Sequence, residues 1–208
     1  MLSNKDFDLW SDNYDQSVEL SDEENIYPFA GYKKLINTIF NTIIENNWID
    51  ILDVGIGTGI LSSGLYNNGC KITGIDFSGE MLKICKAKMP LARLFQYDFT
   101  EGLPEDINKE KFDCIVSTYA MHHLSDDAKI EFIEKLIKIL NNKGSIIIGD
   151  IGFETREEFI RCKTLVNDIW DDDECYYIYD EIKNKFTEEY KITYNQISIC
   201  AGIIKINK

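Results

Sequence analysis

Residues 49–54, Ile-Asp-Ile-Leu-Asp-Val, run straight into Gly55-Ile56-Gly57-Thr58-Gly59. An apolar strand that empties into a glycine-rich turn and then a helix is a ligand-binding device of α/β folds. The glycines permit a tight turn and let a ligand approach bare backbone. The dinucleotide fingerprint G-x-G-x-x-G needs its third glycine at position 60, which here is Ile60. The glycines fall instead at 55, 57 and 59, and Asp53 stands two residues before the first. A pyrophosphate favours a helix N-terminus with no carboxylate beside it. Asp53 suits a ligand carrying a cationic ammonium or sulfonium group. A purely structural turn capped by Asp53 is the alternative.

The rest of the chain alternates in the same way. Leu35, Ile36, Ile39, Phe40, Ile43 and Ile44 recur at helical spacing before the first strand. A helix from about Thr58 to Asn68 stops at Gly69, and residues 70–76 form a second strand. Ser78 caps a helix with Met81, Leu82, Cys85 and Met89 on one face. Leu91–Tyr97, Phe112–Thr118 and Ser145–Ile151 read as further strands, and Ser125 caps a helix between the last two. The pattern predicts helix over 154–170, a solvated acidic loop at Asp171–Glu174, and two terminal strands with a tight turn at Asn195. Alternation followed by a terminal hairpin predicts an α/β fold, a mostly parallel sheet with an antiparallel edge. One domain accounts for the 208 residues: a cap over 1–48, a core over 49–151, an insertion over 152–188 and a hairpin over 189–208.

Two more acids end strands on the edge that the glycine turn occupies. Asp76 stands where acids accept hydrogen bonds from ribose hydroxyls, with Phe77 beside it to pack on a base. Asp98, in Gln96-Tyr97-Asp98-Phe99, can take an adenine amino group or simply form a turn. Asp-x-Gly-x-Gly-x-Gly, then Gly-Ile-Asp-Phe-Ser, Tyr-Asp-Phe and Phe-Asp-Cys-Ile-Val-Ser, together resemble the class I S-adenosylmethionine-dependent methyltransferases in order and spacing. The resemblance covers 49–151 well and 7–48 and 186–206 more loosely, and it is nearest to small, poorly characterised bacterial methyltransferases. It implies a Rossmann-like sheet of seven strands, the last antiparallel, with helices on both faces and an N-terminal helical cap. It also implies S-adenosylmethionine as donor and S-adenosylhomocysteine as product. By the resemblance Asp76 holds the ribose, Asp98 the adenine, and Gly55 and Gly57 line the methionine portion. Asp53, Gly59, Phe77, Phe99, Ser117 and Tyr14 complete the candidate donor set, Tyr14 closing the pocket over the methionine carboxylate.

Methyl transfer from a sulfonium brings its own activation, so the protein mainly contributes proximity and orientation. A base helps only if the acceptor must lose a proton. The chain has two histidines, His122 and His123, adjacent and just past the fourth strand. The resemblance turns His122 toward the active site and gives His123 to the loop; both being structural is the alternative. Tyr119 is a second candidate at the methyl-transfer centre. No metal is expected, since two adjacent histidines cannot easily chelate one ion and no other metal-ligand cluster is apparent in the sequence. An aromatic stripe (Phe153, Phe159, Trp170, Tyr176, Tyr177 and Tyr179) lies in the acceptor-side segment, where core packing is the plainer reading.

Thirty-six acidic against 22 basic side chains leave a net charge of −14. That field repels phosphate backbones and anionic lipid, so the expected acceptor is a small molecule, not nucleic acid or a membrane. An RNA or protein methyltransferase and a non-catalytic donor sensor are the alternatives. Six scattered cysteines form no C-x-x-C and suit reduced, buried thiols. With no apolar leader or bilayer-length run, the cytoplasm is the expected compartment.

Overall fold

The computed structural model describes residues 26–187 and 189–208. Its strands are β1 (Asp50–Val54), β2 (Lys71–Asp76), β3 (Arg93–Gln96), β4 (Phe112–Thr118), β5 (Leu140–Phe153), β6 (Tyr177–Ile178), β7 (Lys191–Gln196) and β8 (Ala201–Asn207). Its α-helices are α1 (Tyr32–Glu45), α2 (Ile60–Asn67), α3 (Gly79–Lys88), α4 (Asp126–Lys138), α5 (Arg156–Val166) and α6 (Tyr179–Lys183). Seven strands lie in the order β3-β2-β1-β4-β5-β8-β7. β1 to β5 are mutually parallel, whereas β8 runs antiparallel to both β5 and β7. This is the Rossmann-like arrangement, and the polarity change sits beside β5. The two-residue β6 is an addition to the expected seven, pairing parallel with the end of β5 (Gly152 to Tyr177, Phe153 to Ile178).

Alternation within the strands splits the core between two faces. Ile51, Ile72, Cys114, Val116 and Ile147 pack with Leu35, Ile39 and Ile43 of α1, Leu61 and Leu65 of α2, Leu82 and Cys85 of α3, and Met89 at its C-cap. Leu52, Val54, Ile115, Ile146 and Ile148 pack with Phe132, Ile133, Leu136 and Ile137 of α4. Each such side chain contributes roughly 1.5–3 kcal/mol when fully buried. The helix starts follow the sequence: the hydroxyls of Ser78, Ser125 and Thr155 accept from the amides of Met81, Ala128 and Glu158. Acids lead α4 and lysines end it, as the helix dipole favours.

Three local expectations shift. The predicted tight turn at Asn195 lies instead at residues 197–200, because Asn195 still pairs with Ile203 and Ser198 Oγ accepts from the amides of Cys200 and Ala201. α5 stops at Val166 and tightens into a 3₁₀ turn over Asn167–Ile169. The acidic run is exposed only through Asp173, for Glu174 turns inward, its carboxyl 22% exposed. The cysteines are unpaired, and all but Cys175 are buried. No described helix is long and apolar enough to cross a membrane.

Candidate functional site

At the carboxyl ends of β1, β2 and β4 a cleft opens, lined by Asp53, Gly55, Gly57, Thr58, Asp76, Phe77, Phe99, Tyr119, Ala120 and His123, among others. The parallel strands β1 and β4 diverge into loops here, which is where open α/β sheets hold ligands. The glycine loop is shaped by necessity. Gly55 has φ +73°, and a Cβ there would stand 2.4 Å from Ala120 Cβ. Gly57 has φ +54° and nothing within 4 Å of its Cβ position, so that stretch of backbone is bare to the cleft. Gly59 ends the loop as the N-cap of α2.

The two acids serve this loop differently. Asp76 Oδ2 accepts from the Gly57 amide at 2.7 Å and Oδ1 from the Ser78 amide at 2.9 Å, so one carboxylate ties the glycine turn to the start of α3. Asp53 lines the cleft with only 2% of its surface exposed. Its Oδ2 accepts from Ser62 Oγ at 2.6 Å, while Oδ1 has no hydrogen-bond partner among the described residues. Burial pushes its carboxyl up to about 7, against the Ser62 hydrogen bond and with help from the charge of Asp76. A buried carboxylate oxygen left unpartnered costs roughly 1–3 kcal/mol or more.

The other sequence candidates divide. Phe77, Phe99 and Tyr119 join the cleft wall. Asp98 and Ser117 are not among the lining residues. The Asp98 carboxylate accepts from the amide and hydroxyl of Thr100, and Ser117 Oγ donates to the Val54 carbonyl at 2.8 Å, pinning β4 to β1. Tyr14 lies outside the described residues. Tyr119 holds a positive φ of +49°, rare for an aromatic residue and costing about 1–3 kcal/mol. Its ring leans on Phe29 and Tyr32, with centroids 5.1 and 5.3 Å away.

The histidines sit on the 3₁₀ turn Met121–His123. His123 lines the cleft, and the His122 ring, its centroid 4.2 Å from that of His123, is buried in a polar cluster behind it. His122 Nδ1 hydrogen-bonds Asp150 Oδ1 at 2.6 Å, Asp150 Oδ2 accepts from the His122 amide, and His122 Nε2 lies 3.5 Å from Glu174 Oε1. Burial opposes a charge on His122, but Asp150 and then Glu174 outweigh it and raise its imidazole above the usual range. Burial, with His122 adding to it, holds His123 down to about 4. Sequence reasoning passes over Asp150 and Glu174. Asp150 left a trace, as the one charged residue in the apolar run Ser145–Ile151. Glu174 left none, since nothing in four consecutive acids marks the one that turns inward.

Residues 51–144 match the family described as methyltransferase domain. An uncharacterized methyltransferase of Oceanobacillus iheyensis is 31% identical over 216 residues, spanning 97% of this chain and 95% of the relative. One from Anoxybacillus flavithermus is 37% identical over 153 residues, 74% of this chain and 69% of its own length. The chain belongs to the class I S-adenosylmethionine-dependent methyltransferases. The fold of this methyltransferase agrees. A crystal structure of magnesium protoporphyrin IX methyltransferase from Synechocystis PCC 6803 with bound S-adenosylhomocysteine superposes with a TM-score of 0.70 at 14% identity, covering 86% of this chain and 84% of the other. The methyl donor of the enzyme is S-adenosylmethionine.

Proposed function

We propose that this methyltransferase acts on a small-molecule acceptor. The observation that carries the reading is the charge of the site: the cleft presents Asp53 and Asp76, and no Lys or Arg lines it among the described residues. A polyphosphate acceptor needs cations beside the transferred methyl, and the net charge of −14 supplies the opposite field.

The residues fit the donor. The orphan Asp53 Oδ1 and the bare backbone at Gly57 suit a compact cationic group, so Asp53, Gly55 and Gly57 hold the methionine end, with Gly59 setting the start of α2. Asp76 takes the ribose, as the strand-end carboxylate that ties the glycine turn to the start of α3 on the cleft wall. Phe77 and Phe99 flank the base, Asp98 takes its amino group, and Ser117 keeps the β1 and β4 ends in register. The donor supplies an activated methyl on a sulfonium. The chain supplies orientation, water exclusion by Tyr32, Phe99 and Tyr119, and a place to activate the acceptor. That place is the 3₁₀ turn, with Tyr119 and His123 at the wall and His122 behind, carried by Asp150 and Glu174.

The test incubates purified enzyme with isotopically methyl-labelled donor and two substrate pools, a small-metabolite extract and an RNA-plus-protein fraction. Label confined to the small-molecule pool is the expected result. Label in RNA or protein, or donor binding with no transfer to either pool, overturns the reading.

A further inference from the structure

We infer that His122, His123 and Glu174 form a binding site for a borderline divalent metal ion of the Zn²⁺ or Co²⁺ type, at the edge of the donor cleft. The sequence argues against it, because two adjacent histidines do not easily chelate one ion and the third ligand they need, Glu174, is far along the chain. The fold provides that third ligand. One donor atom from each residue lies within 4.8 Å of the other two. His122 Nε2 and Glu174 Oε1 are 3.5 Å apart, long for a hydrogen bond between them. It is close to the roughly 3.4 Å that separates two ligands on a tetrahedral ion with bonds of about 2.1 Å.

The surroundings carry the second, independent observation. A metal-bound histidine almost always gives its other ring nitrogen to a carboxylate, and a metal-bound carboxylate is itself hydrogen-bonded. Here His122 Nδ1 donates to Asp150 at 2.6 Å, which turns Nε2 toward Glu174. Tyr176 donates its hydroxyl to Glu174 Oε2 at 2.8 Å, which leaves Oε1 to face Nε2. The Cys175 amide bonds the His122 carbonyl at 2.9 Å, so the segment bearing Glu174 is stitched to the histidine turn. Two imidazoles and one carboxylate leave coordination positions open. Because His123 lines the cleft, those positions lie where an acceptor oxygen would enter. The ion adds nothing to the donor, whose methyl needs no Lewis acid. If bound there, it would lower the hold of an acceptor hydroxyl on its proton, which would pass to water in the open cleft as the oxygen takes the methyl. This rests on the proposal that the acceptor is activated at this turn, and names the means.

The experiment titrates untagged full-length protein with Co²⁺, reading visible ligand-field absorption, and then competes with Zn²⁺. The expected result is one saturable site with the intense bands of a tetrahedral centre, erased by Zn²⁺. Glu174→Gln and His123→Asn should each weaken it at least tenfold, and Asp150→Asn about 10–100-fold. Circular dichroism confirms folding, and Glu174, which keeps some exposure where His122 is buried, tolerates replacement best. No saturable band, a band unchanged in folded Glu174→Gln, or a band lost in Cys175→Ser overturns the site. Should no ion bind while His122→Ala still abolishes turnover, the metal proposal falls and the turn keeps its catalytic role, with His122 as a direct base.

Discussion

Asp53 makes donor affinity depend on pH in a way that its surroundings specify. Ser62 hydrogen-bonds the carboxyl from α2, Asp76 faces it from β2 and Cys85 from α3, and no cation approaches among the described residues. With burial holding the carboxyl at about 7, the site is mostly protonated at pH 6. If the cationic end of the donor pairs with the ionised form, apparent affinity rises about tenfold per pH unit below 7 and levels off above it. Calorimetry between pH 5.5 and 8.5 measures this directly, and at pH 6 close to one proton is released per donor bound. Stability runs the other way. A raised carboxyl contributes stability that is full below its unfolded value near 4 and lost as pH climbs through about 7. Donor-free protein therefore loses a few kcal/mol across that window, and saturating donor restores part of it. Asp53→Asn removes both slopes. A flat affinity profile in the parent, or an undiminished slope in the Asn variant, refutes the pairing.

Asp76→Ala removes a charged acceptor from ribose hydroxyls and a tie to Gly57, each such hydrogen bond worth about 1.5–3 kcal/mol, so donor affinity falls at least tenfold by calorimetry in a folded variant. His122→Ala lowers turnover by about 10²–10⁴-fold while donor affinity changes little, read from initial rates beside calorimetry. Gly55→Ala forces a Cβ against Ala120 at a positive φ and destabilises the fold by about 1–3 kcal/mol in urea unfolding. Duplex DNA and structured RNA give no gel shift at physiological salt, given the charge of −14.

The glycine-turn wall of the cleft was legible in the sequence because its residues are local. Asp53 through Gly59 form one turn, Asp76 ends the next strand, and a strand–turn–helix alternation of this kind admits few topologies. The polar cluster around His122 was not legible, because its partners meet only in three dimensions. Asp150 reaches His122 from the neighbouring strand β5. Glu174 arrives from beyond α5, and two residues of pairing in β6 are too short to print a pattern on the sequence. The terminal turn was misplaced for a related reason. Asn195 has turn chemistry, but ladder pairing to Ile203 outweighs it, and the less conspicuous Ser198 makes the turn.

The pairing of β6 with the end of β5 closes a ring of backbone around the excursion that contains α5. Gly152 and Phe153 leave the sheet, and Tyr177 and Ile178 return beside them, with the Asp180 amide bonded to the Glu154 carbonyl at 3.1 Å. A loop whose two feet are fastened together can change length at small cost, about 0.6 kcal/mol for each doubling. Exposed positions of α5 such as Arg156, Ile160 and Leu165 are thus free to vary, while Cys162, Glu174 and Tyr176 inside the loop, and Asp150 just before it, keep their places. On the proposed function, variation in that segment would alter the acceptor side while the grip on the donor stays fixed.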